Sequence, residues 1–118
     1  MPKRIILLDD DAETLDLLTR VLHKEYQIIS ETDPVKLFDT ALTFDPHLVI
    51  IDHFVGDANS RDIIKDFRKH PQFKNIPIII HSAYEYIDEL ATSVNAAGYI
   101  RKPSGIKEIR EYISAKLS

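Results

Sequence analysis

No cysteine occurs among the 118 residues. That excludes disulfides, thiolate metal sites and cysteine nucleophiles, and it suits a reducing compartment. No apolar run approaches the ~20 residues that cross a bilayer. The stretch Ile5–Leu8, which follows Met1-Pro2-Lys3-Arg4, is much shorter than the apolar region of a signal peptide, and acids follow it at once. The expected location is the cytoplasm, with no membrane partner. Positive charge is in deficit as well. The 15 Lys and Arg face 19 Asp and Glu, for a net charge of −4, so a whole-domain basic footprint for nucleic acid is absent. What remains is ordinary for a folded chain. Apolar residues make up 44% and charged residues 29%, and the length suits one domain spanning residues 1–118.

There is no internal repeat, low-complexity tract or linker. Short β-rich apolar runs alternate with longer segments of helical spacing. The runs are Ile5–Leu8, Tyr26–Ile29, Leu48–Ile51, Ile76–Ile80 and a weaker Gly98–Ile100. Four are nearly continuous, the pattern of strands buried on both faces of a parallel sheet. Between them, helices are predicted over Asp11–Lys24, Pro34–Thr43, Ser60–His70, Tyr84–Asn95 and Gly105–Leu117. Each carries an apolar stripe for packing on a sheet, such as Val35, Phe38, Ala41 and Leu42 in the second and Ile106, Ile109, Ile113 and Leu117 in the last. Asp11 and Asp33 suit N-caps, with Pro34 at a first helical position. Five βα units imply right-handed crossovers and helices on both faces. The predicted fold is α/β, a flavodoxin-like doubly wound five-stranded parallel sheet of order 2-1-3-4-5 with five helices.

In such a sheet, ligands bind beyond the carboxyl ends of the strands. Asp9-Asp10-Asp11 stands at the first strand end, Asp52 at the third, His81-Ser82 at the fourth and Arg101-Lys102-Pro103 at the fifth. One cap needs one side chain, so the pair Asp9 and Asp10 exceeds what capping requires. Crowded carboxylates raise one another's pKa unless a cation neutralises them, and hard oxygen donors suit Mg²⁺. Lys102 precedes Pro103, which biases it toward extended backbone and admits a cis bond. Its ammonium faces the acids and can pair with Asp52 or with a phosphoryl oxygen. Ser82 offers a hydroxyl between them. An aspartate nucleophile, a divalent cation, an ammonium and a hydroxyl together make a phosphoryl-transfer site. His53 and His81 lie beside it without metal-ligand spacing and read as its surroundings.

The stretches Ile5–Asp11, Asp45–Asp52, Ile76–Ala83 and Ala97–Pro103 resemble the receiver domain of two-component response regulators, and the resemblance covers nearly the whole chain. It implies that Asp52 is the phospho-acceptor, taking a phosphoryl group from a histidine kinase phosphohistidine or a phosphotransfer protein. It implies that Asp9, Asp10, Asp52 and the backbone carbonyl of Phe54 hold Mg²⁺. It assigns Ser82 and Lys102 to the phosphoryl oxygens and Tyr99 to a switch aromatic. It places the face for an effector or output domain on the fourth helix, fifth strand and fifth helix (Tyr84–Asn95, Tyr99–Arg101, Gly105–Leu117). A protein of this kind is a signalling switch, catalysing only its own phosphorylation and slow dephosphorylation. Three departures stand out. The turn after the acceptor is Val55-Gly56-Asp57-Ala58-Asn59-Ser60, where the family has Pro-Gly and then Asp-Gly. Ser104 replaces a common Phe. Ala96-Ala97 replaces an acidic pair used in one subfamily's dimer, so that dimer is not predicted. Phe54 and Tyr84 flank the expected path of the hydrolytic water, and slow decay of the aspartyl phosphate is expected from their bulk.

Other readings fit less well. A haloacid-dehalogenase-like phosphatase would use Asp9 as nucleophile and Asp11 as acid/base, but it needs a second acidic pair after the lysine. Beyond Lys102 the chain offers only Glu108 and Glu111, on the last helix. A flavin mononucleotide carrier would need a Ser/Thr/Gly-rich loop where Asp9–Asp11 stand. A receiver used only as a non-phosphorylated docking module stays an alternative: the intact acceptor set argues against a degenerate site, and constitutive binding is compatible with it.

Overall fold

The nearly continuous apolar runs pair into one parallel sheet, described for residues 2–118 of a computed structural model. The elements are β1 (Arg4–Leu8), α1 (Ala12–Leu22), β2 (Gln27–Glu31), α2 (Leu37–Phe44), β3 (Leu48–Ile51), β4 (Phe54–Val55), β5 (Ala58–Asn59), α3 (Ser60–Phe67), β6 (Ile78–Ser82), α4 (Ile87–Ser93), β7 (Gly98–Arg101) and α5 (Ile106–Leu117). The sheet order is β2-β1-β3-β6-β7, which is 2-1-3-4-5 when the long strands alone are numbered. Register brings Leu8 beside Ile51 and Ile51 beside Ile80, so the residues that follow β1 and β3 emerge together.

Alternate side chains of the central strands feed two cores. Ile6, Leu8, Val49, Ile51, Ile78 and Ile80 pack under α2, α3 and α4. Ile5, Leu7, Leu48, Ile50, Ile79 and Ile100 pack under α1 and α5. Burying one such side chain contributes about 1.5–3 kcal/mol, so the sheet centre is the most stable part of the molecule. At the outer strand β7, the Tyr112 hydroxyl of α5 accepts the Tyr99 N–H at 3.0 Å. Gly98 makes room for that ring, since a Cβ there would overlap the Tyr112 hydroxyl.

The structure corrects several sequence expectations. An unforeseen two-stranded hairpin, β4–β5, follows β3, with Val55 opposite Ala58 and Gly56 at φ 60° between them. Gly-Asp is a favourable two-residue hairpin turn, and glycine takes positive φ without a Cβ clash. The second apolar stripe is misphased. Leu37 and Ala41 are buried, whereas Val35 is 82% exposed and Phe38 and Leu42 are also open. Residues Pro34–Lys36 form a 3₁₀ turn capped by Asp33, and three residues per turn rotate everything that follows relative to a uniform α-helix. Ile106 opens α5 and is exposed rather than buried. Helix α4 begins at Ile87, so Tyr84–Tyr86 form a loop, and α3 ends at Phe67, short of His70. The Lys102–Pro103 bond is cis.

Candidate functional site

Asp9 follows the last residue of β1, and Asp52 follows β3. One carboxylate oxygen from each of Asp9, Asp10 and Asp52 lies within 4.8 Å of the others. Each of the three carboxylates is oriented by one backbone N–H. Asp11 N–H donates to Asp9 Oδ1 at 2.9 Å, Gly56 N–H to Asp10 Oδ2 at 2.9 Å and His53 N–H to Asp52 Oδ1 at 2.7 Å. Lys102 spans the cluster, its Nζ donating to Asp9 Oδ2 at 2.9 Å and Asp52 Oδ2 at 3.2 Å.

The electrostatics follow from unequal burial. Asp9 is only 3% exposed, and loss of hydration holds its carboxyl above the ordinary value despite the opposing Asp11 N–H and Lys102. Lys102 also loses hydration, but Asp9 and Asp52 outweigh that cost and hold its ammonium above the usual lysine value. The lysine is therefore a fixed cation. Three acids with one ammonium leave an excess of negative charge that suits a divalent ion. Asp10 is exposed and Asp52 half-buried, so water reaches the same point. Hard oxygen donors beside solvent match Mg²⁺, which keeps several of its waters. Asp11 stays outside the cluster. It caps α1, accepting Glu13 N–H at 3.3 Å and the Thr14 hydroxyl at 2.6 Å.

Ser82, at the end of β6, is buried, and its hydroxyl accepts Tyr84 N–H at 3.1 Å. Lys102 N–H donates to the Ser82 carbonyl at 2.9 Å, which ties the two strand ends together. The hydroxyl faces the loop before α4, and none of its hydrogen bonds joins it to the carboxylates. Tyr99 is 37% exposed on β7. Phe54 is 57% exposed, and its ring meets Tyr84 edge-on at 6.1 Å.

Sequence reasoning read His53 and His81 as surroundings of the site without foreseeing how they pack, and it missed the role of Gly56. His53 is buried with Nδ1 2.7 Å from the Ser60 hydroxyl, and its ring lies 4.2 Å from Phe54 and 4.4 Å from Tyr84. It is the spacer beneath the aromatic pair, and burial lowers its pKa. His81 is buried with Nδ1 lacking a hydrogen-bond partner; burial and then Lys102 push its pKa down to about 4. Gly56 supplies the amide that orients Asp10. Gly56 had a legible signal, the Gly-Asp hairpin turn.

A profile of the response regulator receiver domain matches residues 5–114. The chain belongs to that family. The receiver domain is 29% identical over 102 residues to the two-component response regulator ARR21 of Arabidopsis thaliana, covering 84% of this chain and 16% of that protein. It is 24% identical over 119 residues to the chemotaxis protein CheY of Halobacterium salinarum, covering 100% of this chain and 99% of that one. Among solved structures, Vibrio cholerae CheY4 superposes with a TM-score of 0.90 at 16% identity over 100% of both chains. This receiver domain thus spans a small part of the plant regulator and nearly all of the archaeal protein. Among its described residues, no helix is long and apolar enough to cross a membrane.

Proposed function

We propose that residues 1–118 act as one phospho-accepting unit, in which Asp52 takes a phosphoryl group from a kinase or phosphotransfer-protein phosphohistidine in a Mg²⁺-dependent step. The observation that carries this reading is the shared reach of Lys102 Nζ to Asp9 and Asp52, with Asp10 completing the acid cluster. An Asp52 oxygen forms the new P–O bond. The P–N bond breaks, and the imidazole nitrogen keeps the electron pair. Lys102 is placed to neutralise a phosphoryl oxygen as charge spreads over the equatorial oxygens. Asp9, Asp10, Asp52 and the Phe54 carbonyl are the proposed metal ligands, and bound Mg²⁺ would supply further charge neutralisation.

Ser82 keeps its hydroxyl proton free to donate to a phosphoryl oxygen, since its oxygen is the acceptor for Tyr84 N–H. Movement of Ser82 toward that oxygen would bear on residues 83–86, a loop that Arg101 also holds through the Tyr84 and Glu85 carbonyls, both at 3.3 Å. Tyr99, now partly exposed, is the proposed group that moves inward. A local charge change thereby biases a two-state element. The altered face of α4, β7 and α5 is the proposed site for an effector or output domain, in the cytoplasm. The phosphatase alternative is disfavoured by the same geometry, because Asp11 is spent as a cap and Asp9 is the most buried of the acids.

Incubation with acetyl phosphate and Mg²⁺, read by intact mass, tests this proposal. Wild type should gain one phosphoryl group, Asp52→Asn none, and Asp9→Asn should retain uptake at a lower rate. Uptake that survives Asp52→Asn and disappears in Asp9→Asn overturns it. The Phe54–Tyr84 pair supports slow hydrolysis by crowding the water. Phe54→Asn with Tyr84→Glu should therefore speed decay of the phosphorylated form several-fold, and unchanged decay would refute the steric account.

A further inference from the structure

The misphased stripe of the second helix leaves apolar surface open to solvent, although the Phe38 ring meets His70 and Phe73 edge-on at 5.2 and 5.5 Å. Val35, in the 3₁₀ turn before α2, is 82% exposed, and Phe38 and Leu42 on α2 are partly exposed next to buried Leu37 and Ala41. Beside them runs a cavity of about 240 Å³ between α2 and α3. Its floor is Leu37, Ile63 and Phe67, and Val35 and Phe38 form one wall. The opposite wall carries Asp62 and Asp66, one helical turn apart and both exposed. The groove continues past Pro34 and Ala58 to Asp33 and Asp57, so its rim is acidic at both ends. The nearby cations are exposed Lys36 and Lys69, and Lys69 already pairs with Asp66 at 3.2 Å.

We propose that this α2–α3 groove docks a basic amphipathic helix of another protein, apolar side chains inward and Lys or Arg against Asp62 and Asp66. Three features select this occupant. The cavity is below the roughly 300–1,000 Å³ of a site for a drug-sized ligand, yet open to side chains projected from a helix. The acidic rim repels an anionic membrane surface. A second copy meeting this face symmetrically would set Asp62 and Asp66 against their own equivalents, a like-charge arrangement that opposes association. The groove is remote in the fold from the β7–α5 surface, and its use does not depend on phosphorylation of Asp52.

The test uses isotope-labelled full chain and a synthetic leucine–lysine peptide of roughly four helical turns, long enough for marginal helicity. A peptide of the same composition with scrambled register is the control. Amide shifts from the matched peptide should centre on Val35, Phe38, Ala58, Asp62 and Asp66. Affinity should fall about tenfold with the scrambled peptide, with Asp62→Lys plus Asp66→Lys, and with Phe38→Ser. The substituted side chains are exposed, and circular dichroism will verify the fold of each variant. Equal binding of both peptides, shifts centred elsewhere or affinities unmoved by the variants would overturn the proposal. So would self-association that Val35→Asp abolishes, which gives the groove to a second copy, or binding to phosphatidylserine vesicles through this face.

Discussion

At the scale of single residues, Lys102 is what makes the acid cluster tolerable. Its ammonium lies within hydrogen-bonding distance of two carboxylates, one of them almost wholly buried. In Lys102→Met, Asp9 keeps its burial and loses its counter-charge. The expected cost is about 1–3 kcal/mol at neutral pH, the range for stranding a buried partner that retains other hydrogen bonds. The cost should shrink on acidification as Asp9 takes up a proton. Urea unfolding of both proteins across pH measures this. His81 gives a second pH effect of opposite origin. Its folded pKa, about 4, lies below the ordinary 6.5, so the unfolded chain protonates first and stability drains away as pH falls from about 6.5 to about 4. The loss attributable to it is up to about 3 kcal/mol. His81→Leu should flatten that part of the profile, and an unchanged slope assigns it to other groups. The two residues also differ in how they could be foreseen. Asp9, Asp10, Asp52 and Lys102 are legible because each ends or follows an apolar run, and the sheet gathers such ends. His53 and His81 act through burial and ring packing, which depend on neighbours distant in sequence.

At the scale of elements, helical phase and turn geometry were the hard parts to foresee. A single 3₁₀ turn at Pro34–Lys36 offsets the phase of α2, so that Leu37 joins Ala41 in the core while Phe38 and Leu42 are left partly exposed. The hairpin after β3 was equally hidden, although Gly56-Asp57 announces its turn. Gly56 has φ 60°, which costs a residue with a Cβ about 1–2 kcal/mol. Gly56→Val should therefore lower stability by that amount or slightly more, because β-branching adds to the strain. Thermal unfolding of the variant tests it, and a neutral effect would mean that the hairpin is dispensable. The same residue donates its amide to Asp10, so the acidic site and the wall of the α2–α3 groove share one short ladder.

At the scale of the whole molecule, strand order was readable because continuous apolar runs, helices between them and right-handed crossovers leave few arrangements. Placing the acids at the centre of the carboxyl edge followed from that order alone. The energetic consequence is linkage between a cation and the entire fold. Mg²⁺ at 100 times its dissociation constant should add about 2.7 kcal/mol to unfolding, provided that the unfolded chain does not bind it. Calorimetry with and without Mg²⁺ should show a higher midpoint for wild type and almost none of that rise for Asp10→Ala. A rise preserved in the variant would move the ion elsewhere.

The outer side of β7 is partly covered by α5. A strand at the margin of a sheet presents unmatched amides and carbonyls, an invitation for another chain to add itself. Here α5 answers for β7: the Tyr112 phenol takes the Tyr99 amide, and Lys116 Nζ covers the Ala97 carbonyl at 2.7 Å. The missing side chain at Gly98 is what lets the phenol settle there. A single methyl group at that point, as in Gly98→Ala, should unseat the phenol and bare the margin. Light scattering on concentrated samples should then record growing assemblies of a protein whose core is untouched.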